Sequence, residues 1–357
     1  MKLFKCPHCG QLLYFENTRC ERCGSRLGYV PERGYLTALD DAGDGTWRSL
    51  ARDGGSYRFC SNAEYDVCNW LIPADKPDTL CRACRHNRTI PNLASPGAQL
   101  AWRKMEDAKH RLFYQILRLG LPTPAEGESD EPLVFDFLAD PPTPSGPKVM
   151  TGHDDGLITI ALAEADDAER ERRRTAMGEP YRTLLGHFRH EVGHFYWDKL
   201  VRDGGRLAEC RAVFGNDEED YGEALKRHYE QGVPPDWQEN YISSYATTHA
   251  WEDFAETWAH YLHIIDCLEM ARSFGMTVRP EGDQSGVLAA DADVDVYAAG
   301  DFEPIVRTWL PIAFALNSVN RCMGQTDLYP FVLSPAVEKK LAFIHWLVHD
   351  HAGQSPN

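Results

Sequence analysis

Eight of the eleven cysteines in this 357-residue chain fall between Cys6 and Cys84, and most of them stand in CxxC pairs. Cys6-Pro7-His8-Cys9 and Cys20-Glu21-Arg22-Cys23 are separated by ten residues. Two such knuckles present four thiolates to one tetrahedral zinc. Cys60, Cys68, Cys81 and Cys84 form a second set, closed by Cys81-Arg82-Ala83-Cys84 but more widely spaced in its first half. They predict a second structural zinc, with interleaving of ligands between the two sets left open and His8 and His86 as substitutes. The N-terminal residues run into the first knuckle without a signal-peptide core, so a reducing, cytoplasmic setting is expected and metal is favoured over disulfides. Residues 1–94 are also turn-rich and short of periodic segments, as expected of a zinc-ribbon region held by metal rather than by a large core.

The remainder has the balance of an ordinary globular protein, 43% hydrophobic and 25% charged over the whole chain, with no apolar run long enough to span a membrane. The net charge of −17 is carried by the part after residue 120, since the N-terminal third has a small basic excess. Such an acidic body repels nucleic acid, which is not expected as a partner. Arg82, Arg85 and Arg88 make a small basic cluster without interleaved aromatics, and an intramolecular or protein contact suits it better than a polyanion.

Hydrophobic periodicity predicts an amphipathic helix over 97–119, then a loop over 122–132. Strands are expected over 133–138 and 156–162, from β-branched and aromatic residues bounded by turns. An exposed charged segment over 166–174 leads to a helix over 180–201 that starts at Glu179-Pro180 and stops at Gly204-Gly205. Further helices are expected over 222–231, over 250–274 with Thr248 as a cap, and within 305–319 and 337–348. The fold class is therefore α+β: a zinc-ribbon module over 1–94, then a mainly helical domain over 95–357 with a small β-sheet.

His190-Glu191-Val192-Gly193-His194 is an HExxH segment inside the predicted 180–201 helix. Residues four apart share a helix face, so His190 and His194 can offer two imidazoles to one metal with Glu191 beside them as general base. A catalytic zinc also needs a third protein ligand and an open position for water. Trp251-Glu252-Asp253-Phe254-Ala255-Glu256-Thr257-Trp258 places two carboxylates four apart on a second, largely apolar helix. Burying them there is costly without a cationic or hydrogen-bonding partner, and a metal with its histidines would be one. Asp253 projects about 100° away from Glu252 and is expected to be exposed or capping.

The ExxAE pattern at Glu252 to Glu256 resembles the third-ligand helix of gluzincins, in particular lethal-factor-like metalloproteases. That resemblance implies Glu252 as third zinc ligand, 58 residues after His194, and Glu256 as the carboxylate that hydrogen-bonds a ligand histidine, with the two roles exchangeable. Similar gluzincins carry a tyrosine whose hydroxyl steadies the oxyanion, and Tyr245, seven residues before Glu252, is the counterpart here, with a core aromatic as its alternative. More broadly the chain resembles a zinc-binding metallopeptidase family in which a zinc ribbon is joined to an HExxH domain, on residues 189–197, Asp220-Tyr221, Arg227-His228-Tyr229 and 251–260. By that likeness the larger domain is zincin-like, and the strand over 156–162 would be the edge strand that holds an extended peptide, with His153 just before it. His187, His260 and His263 are expected to be structural.

The sequence thus implies a zinc metallopeptidase with one catalytic and two structural zinc ions, acting on a peptide or protein without a membrane anchor. The competing reading is a non-catalytic zinc-ribbon interaction protein on an inactive zincin-like scaffold.

Overall fold

The computed structural model describes residues 1–52, 54–141 and 148–354, and the chain divides into two compact units, Met1–Arg173 and Arg174–Asn357. The expected boundary after residue 94 lies inside the first unit.

The first unit opens with a minimal hairpin, β1 (Phe4–Lys5) and β2 (Leu12–Leu13), whose connection carries the Cys6/Cys9 knuckle. An antiparallel meander follows: β3 (Arg26–Val30), β4 (Tyr35–Asp41), β5 (Trp47–Ser49), β6 (Ser56–Phe59) and β7 (Leu71–Pro73), in that spatial order. Gly28 lies so close to the Leu71 side chain that a Cβ there would meet its carbons at 2.6–2.7 Å. A buried cluster of Phe15, Tyr29, Trp70 and Tyr114 ties the knuckles and the sheet to α1 (Ala98–Arg118), with ring centroids of 4.9 Å for Phe15–Tyr29 and 5.3 Å for Phe15–Tyr114.

A second sheet draws on chain from both sides of residue 94. Strand β8 (Asn87–Thr89), which follows Cys84 directly, pairs in parallel with β9 (Val134–Leu138), and β9 pairs in parallel with β11 (Leu157–Ala161). Chain from the cysteine-rich region therefore forms one edge of the sheet that the later strands complete. Strand β10 (Gly152–Asp154) folds back on β11 through a tight turn in which Asp155 and Gly156 take positive φ of 44° and 87°. The expectation of β11 as the edge strand is thereby corrected: β10, which carries His153, is the edge, and β11 is interior.

Helix α2 (Asp167–Met177) is the charged segment expected over 166–174 and buries none of its side chains. In the second unit α3 (Leu184–Tyr196) begins later than expected, because Thr183 caps it by accepting from the Gly186 amide at 3.0 Å. It passes into a π-helical stretch over Trp197–Arg202 and stops at the glycine pair, Gly205 having φ of 69°. Helices α4 (Leu207–Phe214), α5 (Tyr221–Gln231), α6 (Ala250–Ser273), α7 (Glu303–Cys322) and α8 (Pro335–Gln354) complete the unit. Helix α6 is buried along most of its length, its buried residues including Glu252, Asp253 and Asp266, and α3, α4, α7 and α8 pack against it. His249, not Thr248, caps it, its Nδ1 accepting from the Trp251 amide at 3.0 Å. Among the described residues no helix is long and apolar enough to cross a membrane.

Asp253 is neither exposed nor a cap. It is fully buried and pairs with Lys340 of α8 at 2.6 Å, while the same Nζ donates to the Asn240 carbonyl and lies over the Tyr241 ring. Removing one member of a buried pair strands the other charge in a poorly solvating interior. Lys340→Met should lower unfolding stability by about 3–5 kcal/mol. The double variant Lys340→Met/Asp253→Leu should recover a large part of that loss, read from denaturant midpoints at constant slope.

Candidate metal centres

Helix α3 carries His190, Glu191 and His194, and α6 carries Glu252 and Glu256. What lets the two helices meet is Gly193. A Cβ at that position would lie 3.0 Å from the Ala255 Cα, 3.2 Å from the Trp258 Cβ and 3.3 Å from the Ala255 carbonyl oxygen, so a methyl group there would have to push the two helices apart by a few tenths of an ångström. The contact sits one residue from His194 and three from Glu252, and it sets the distance between the ligand rows.

Across it His190 Nε2, His194 Nε2 and Glu252 Oε2 converge, at 3.2 Å between the imidazoles and 3.0 and 3.5 Å from each to the carboxylate. A zinc bound at about 2.0–2.1 Å by such donors spaces them about 3.3 Å apart, so the donor set fits the ion in both chemistry and size. His190 Nδ1 meets Glu256 Oε1 at 2.6 Å, and Ser243 donates to Glu256 Oε2 at 2.6 Å. This chain of bonds fixes the tautomer that turns Nε2 of His190 inward. The Trp251 ring lies on His194 with centroids 3.7 Å apart.

Glu191 is buried beside the cluster. Burial, reinforced by the charges of Glu252 and Glu256 and opposed by His190, pushes its carboxyl up to about 7. The Tyr245 ring is 6.0 Å from that of His190. The Tyr221 hydroxyl donates to Glu252 Oε1 at 2.7 Å. Tyr221 has no telltale spacing, since it lies 31 residues from Glu252 and on another helix.

The histidines set aside as structural lie in the packing around this point. His260 is buried and bonded to the Tyr329 hydroxyl at 2.8 Å. His263 contacts Arg189, a buried guanidinium paired with Asp266 at 2.7 Å, which pins α3 to α6 one residue before the first ligand. His187 is half-buried on α3.

The cysteines of the first unit form two separate clusters, Cys6/Cys9/Cys20/Cys23 and Cys60/Cys68/Cys81/Cys84, without interleaving. Sulfur separations of 3.8 Å (Cys6–Cys23), 3.6 Å (Cys9–Cys20) and 3.8 Å (Cys68–Cys81) are far too long for disulfides. They match the edge of about 3.8 Å expected for four thiolates around one zinc. The substitute histidines stay outside both clusters: His8 bonds Ser25 Oγ at 3.1 Å, and His86 bonds the Leu133 carbonyl at 2.7 Å. His110 of α1 is the histidine that sequence spacing did not reveal, with Nε2 at 3.5 Å from Cys68 Sγ and 3.6 Å from Cys84 Sγ. Amides of Trp70, Cys81 and Cys84 also point at sulfurs of this cluster. Of the basic cluster, Arg85 pairs with Glu128 at 2.9 Å and Arg88 with Asp136 at 3.0 Å, which makes both contacts intramolecular.

Two family models match the chain. One, described as "Putative zinc-binding metallo-peptidase", covers residues 98–347, and the other, described as a zinc-ribbon domain, covers residues 3–95. Among similar proteins are one from Mycobacterium bovis and two from strains of Mycobacterium tuberculosis, all printed as uncharacterized proteins. Each is 41% identical over 356 residues, covering 99% of this chain and 96% of the relative. No solved structure matches.

Gly193→Ala should force α3 and α6 apart, costing about 1–3 kcal/mol of stability as overpacking does. It should also lower metal occupancy at the histidine centre while leaving the two cysteine clusters loaded. Elemental analysis of the purified variant checks this, and unchanged occupancy would refute the spacer role of Gly193.

Proposed function

The chain belongs to this zinc-binding metallo-peptidase family, and on that premise we propose that it is a zinc-dependent peptidase whose general base is Glu191. The observation that carries the reading is the convergence of His190 Nε2, His194 Nε2 and Glu252 Oε2 beside the buried Glu191 carboxyl. A zinc held by those three residues would supply Lewis acidity, making a water nucleophilic near neutral pH and polarising the scissile carbonyl.

The chain's own groups do the rest. Glu191 takes the proton of the attacking water and passes it to the departing amine, a role open to a carboxylate next to the ligands that is not itself one. Glu256, held by Ser243, keeps His190 oriented. Tyr245 turns its hydroxyl to the oxygen on which negative charge builds. Its nearness to His190 supports this role.

The substrate class is a peptide or protein. The two cysteine clusters each hold a structural zinc, which gives three per chain with the catalytic one. None of the eleven cysteines is in a disulfide, which suits the reducing cytoplasm.

Elemental analysis should find about three zinc ions per chain, with one lost on His194→Ala. Glu191→Gln should keep all three yet lower peptide cleavage by about 10²–10⁴-fold in kcat. Two zinc ions unaffected by His194→Ala, or cleavage indifferent to Glu191→Gln, would sink the peptidase reading in favour of a non-catalytic zinc-ribbon protein.

A further inference from the structure

Glu252 faces the two histidines with Oε2 alone. Its other oxygen, Oε1, accepts the Tyr221 hydroxyl at 2.7 Å, and the residue is 2% exposed. A carboxylate at a zinc can bind through one oxygen or swing both onto the ion, and the second mode takes up the position that a water needs. A donor locked onto the outer oxygen opposes that swing and removes the cost of leaving a buried carboxylate oxygen without a partner.

Tyr221 is held for this task. It is the first residue of α5, whose start is capped by Asp220 Oδ1 accepting the Glu223 amide at 2.9 Å. Its ring stands edge-on to Trp251 at 5.9 Å and to His249 at 5.7 Å, and Trp251 is the ring that lies on the ligand His194. His249 Nε2 bonds the Glu219 carbonyl at 3.0 Å, which fastens the segment before α5 to the start of α6. The rest of α5 is largely solvent-exposed, with Ala224 its buried residue. The start of the helix is therefore anchored at the metal centre while its body is not.

We propose that Tyr221 is a positioning residue: its hydroxyl holds Glu252 as a one-oxygen ligand. The proposal rests on the metal centre of the peptidase reading.

The test is zinc affinity of the full-length protein, measured by competition with a chromophoric chelator, for wild type, Tyr221→Phe and Tyr229→Phe. Tyr229 lies on the same helix and is 70% exposed, which makes it a control for the loss of a phenol from α5. Tyr221→Phe should weaken the most labile zinc about tenfold or more, leave the two cysteine-held zincs untouched, and lower kcat more than it raises KM. Tyr229→Phe should match wild type. Tyr221 is 38% exposed and Phe keeps its ring packing, so folding is expected to survive, and thermal melting of the zinc-loaded protein verifies it. A third zinc held equally tightly by wild type and Tyr221→Phe overturns the inference alone. Absence of a third zinc in wild type overturns both the inference and the reading beneath it. A third zinc weakened by Tyr221→Phe in a protein that cleaves no peptide upholds the positioning role and overturns the peptidase reading.

Discussion

The close crossing of α3 and α6 at Gly193 and Ala255 is the contact on which the second unit depends. Two helices come near enough there for imidazoles on one to meet a carboxylate on the other, and a single methyl group would separate them. The surrounding bonds hold that crossing in place. Arg189–Asp266 joins the same helices just before the ligands, and Asp253–Lys340 fastens the opposite side of α6 to α8. Each of these charges is buried, and each has its partner, because an isolated ion in such an interior costs several kcal/mol.

The centre itself is layered. Three donor atoms face a common point, and behind them Glu256, bonded by Ser243, bonds His190, Trp251 lies on His194, and Tyr221 donates to Glu252. Such outer groups are as much a part of a metal site as its ligands, because they fix which lone pair points inward. They come from α5, α6 and the segment between them, so the ligand geometry depends on how that whole stretch folds.

The first unit solves a different problem. Its strands bury a small core of Val30, Leu39, Tyr57 and Leu71, and the cysteine clusters and an aromatic cluster add to it. The second cysteine cluster is closed from outside by His110 of α1, and β8 beside it opens the four-stranded sheet. The cysteine-rich segment and the residues up to Arg173 are therefore one compact body, although the family models divide the chain near residue 95.

Short-range spacing made much of this legible. The CxxC pairs, the i, i+4 histidines and the i, i+4 carboxylates are set by knuckle and helix geometry, hydrophobic period placed α1, and β-branched and aromatic runs between turns placed β9 and β11. Three kinds of information were not local. Burial of Asp253 follows from Lys340, 87 residues away, and a helical wheel has no means of registering it. The interior position of β11 depends on a turn at Asp155-Gly156 that sends β10 back along it. The partners Tyr221 and His110 reach their sites from other helices, at separations that no motif encodes. The sequence by itself determined the donor types and their pairing on single elements, because backbone periodicity dictates which side chains share a face. Only the tertiary structure decided which faces meet and what stands behind each ligand, because those contacts join segments far apart in the chain.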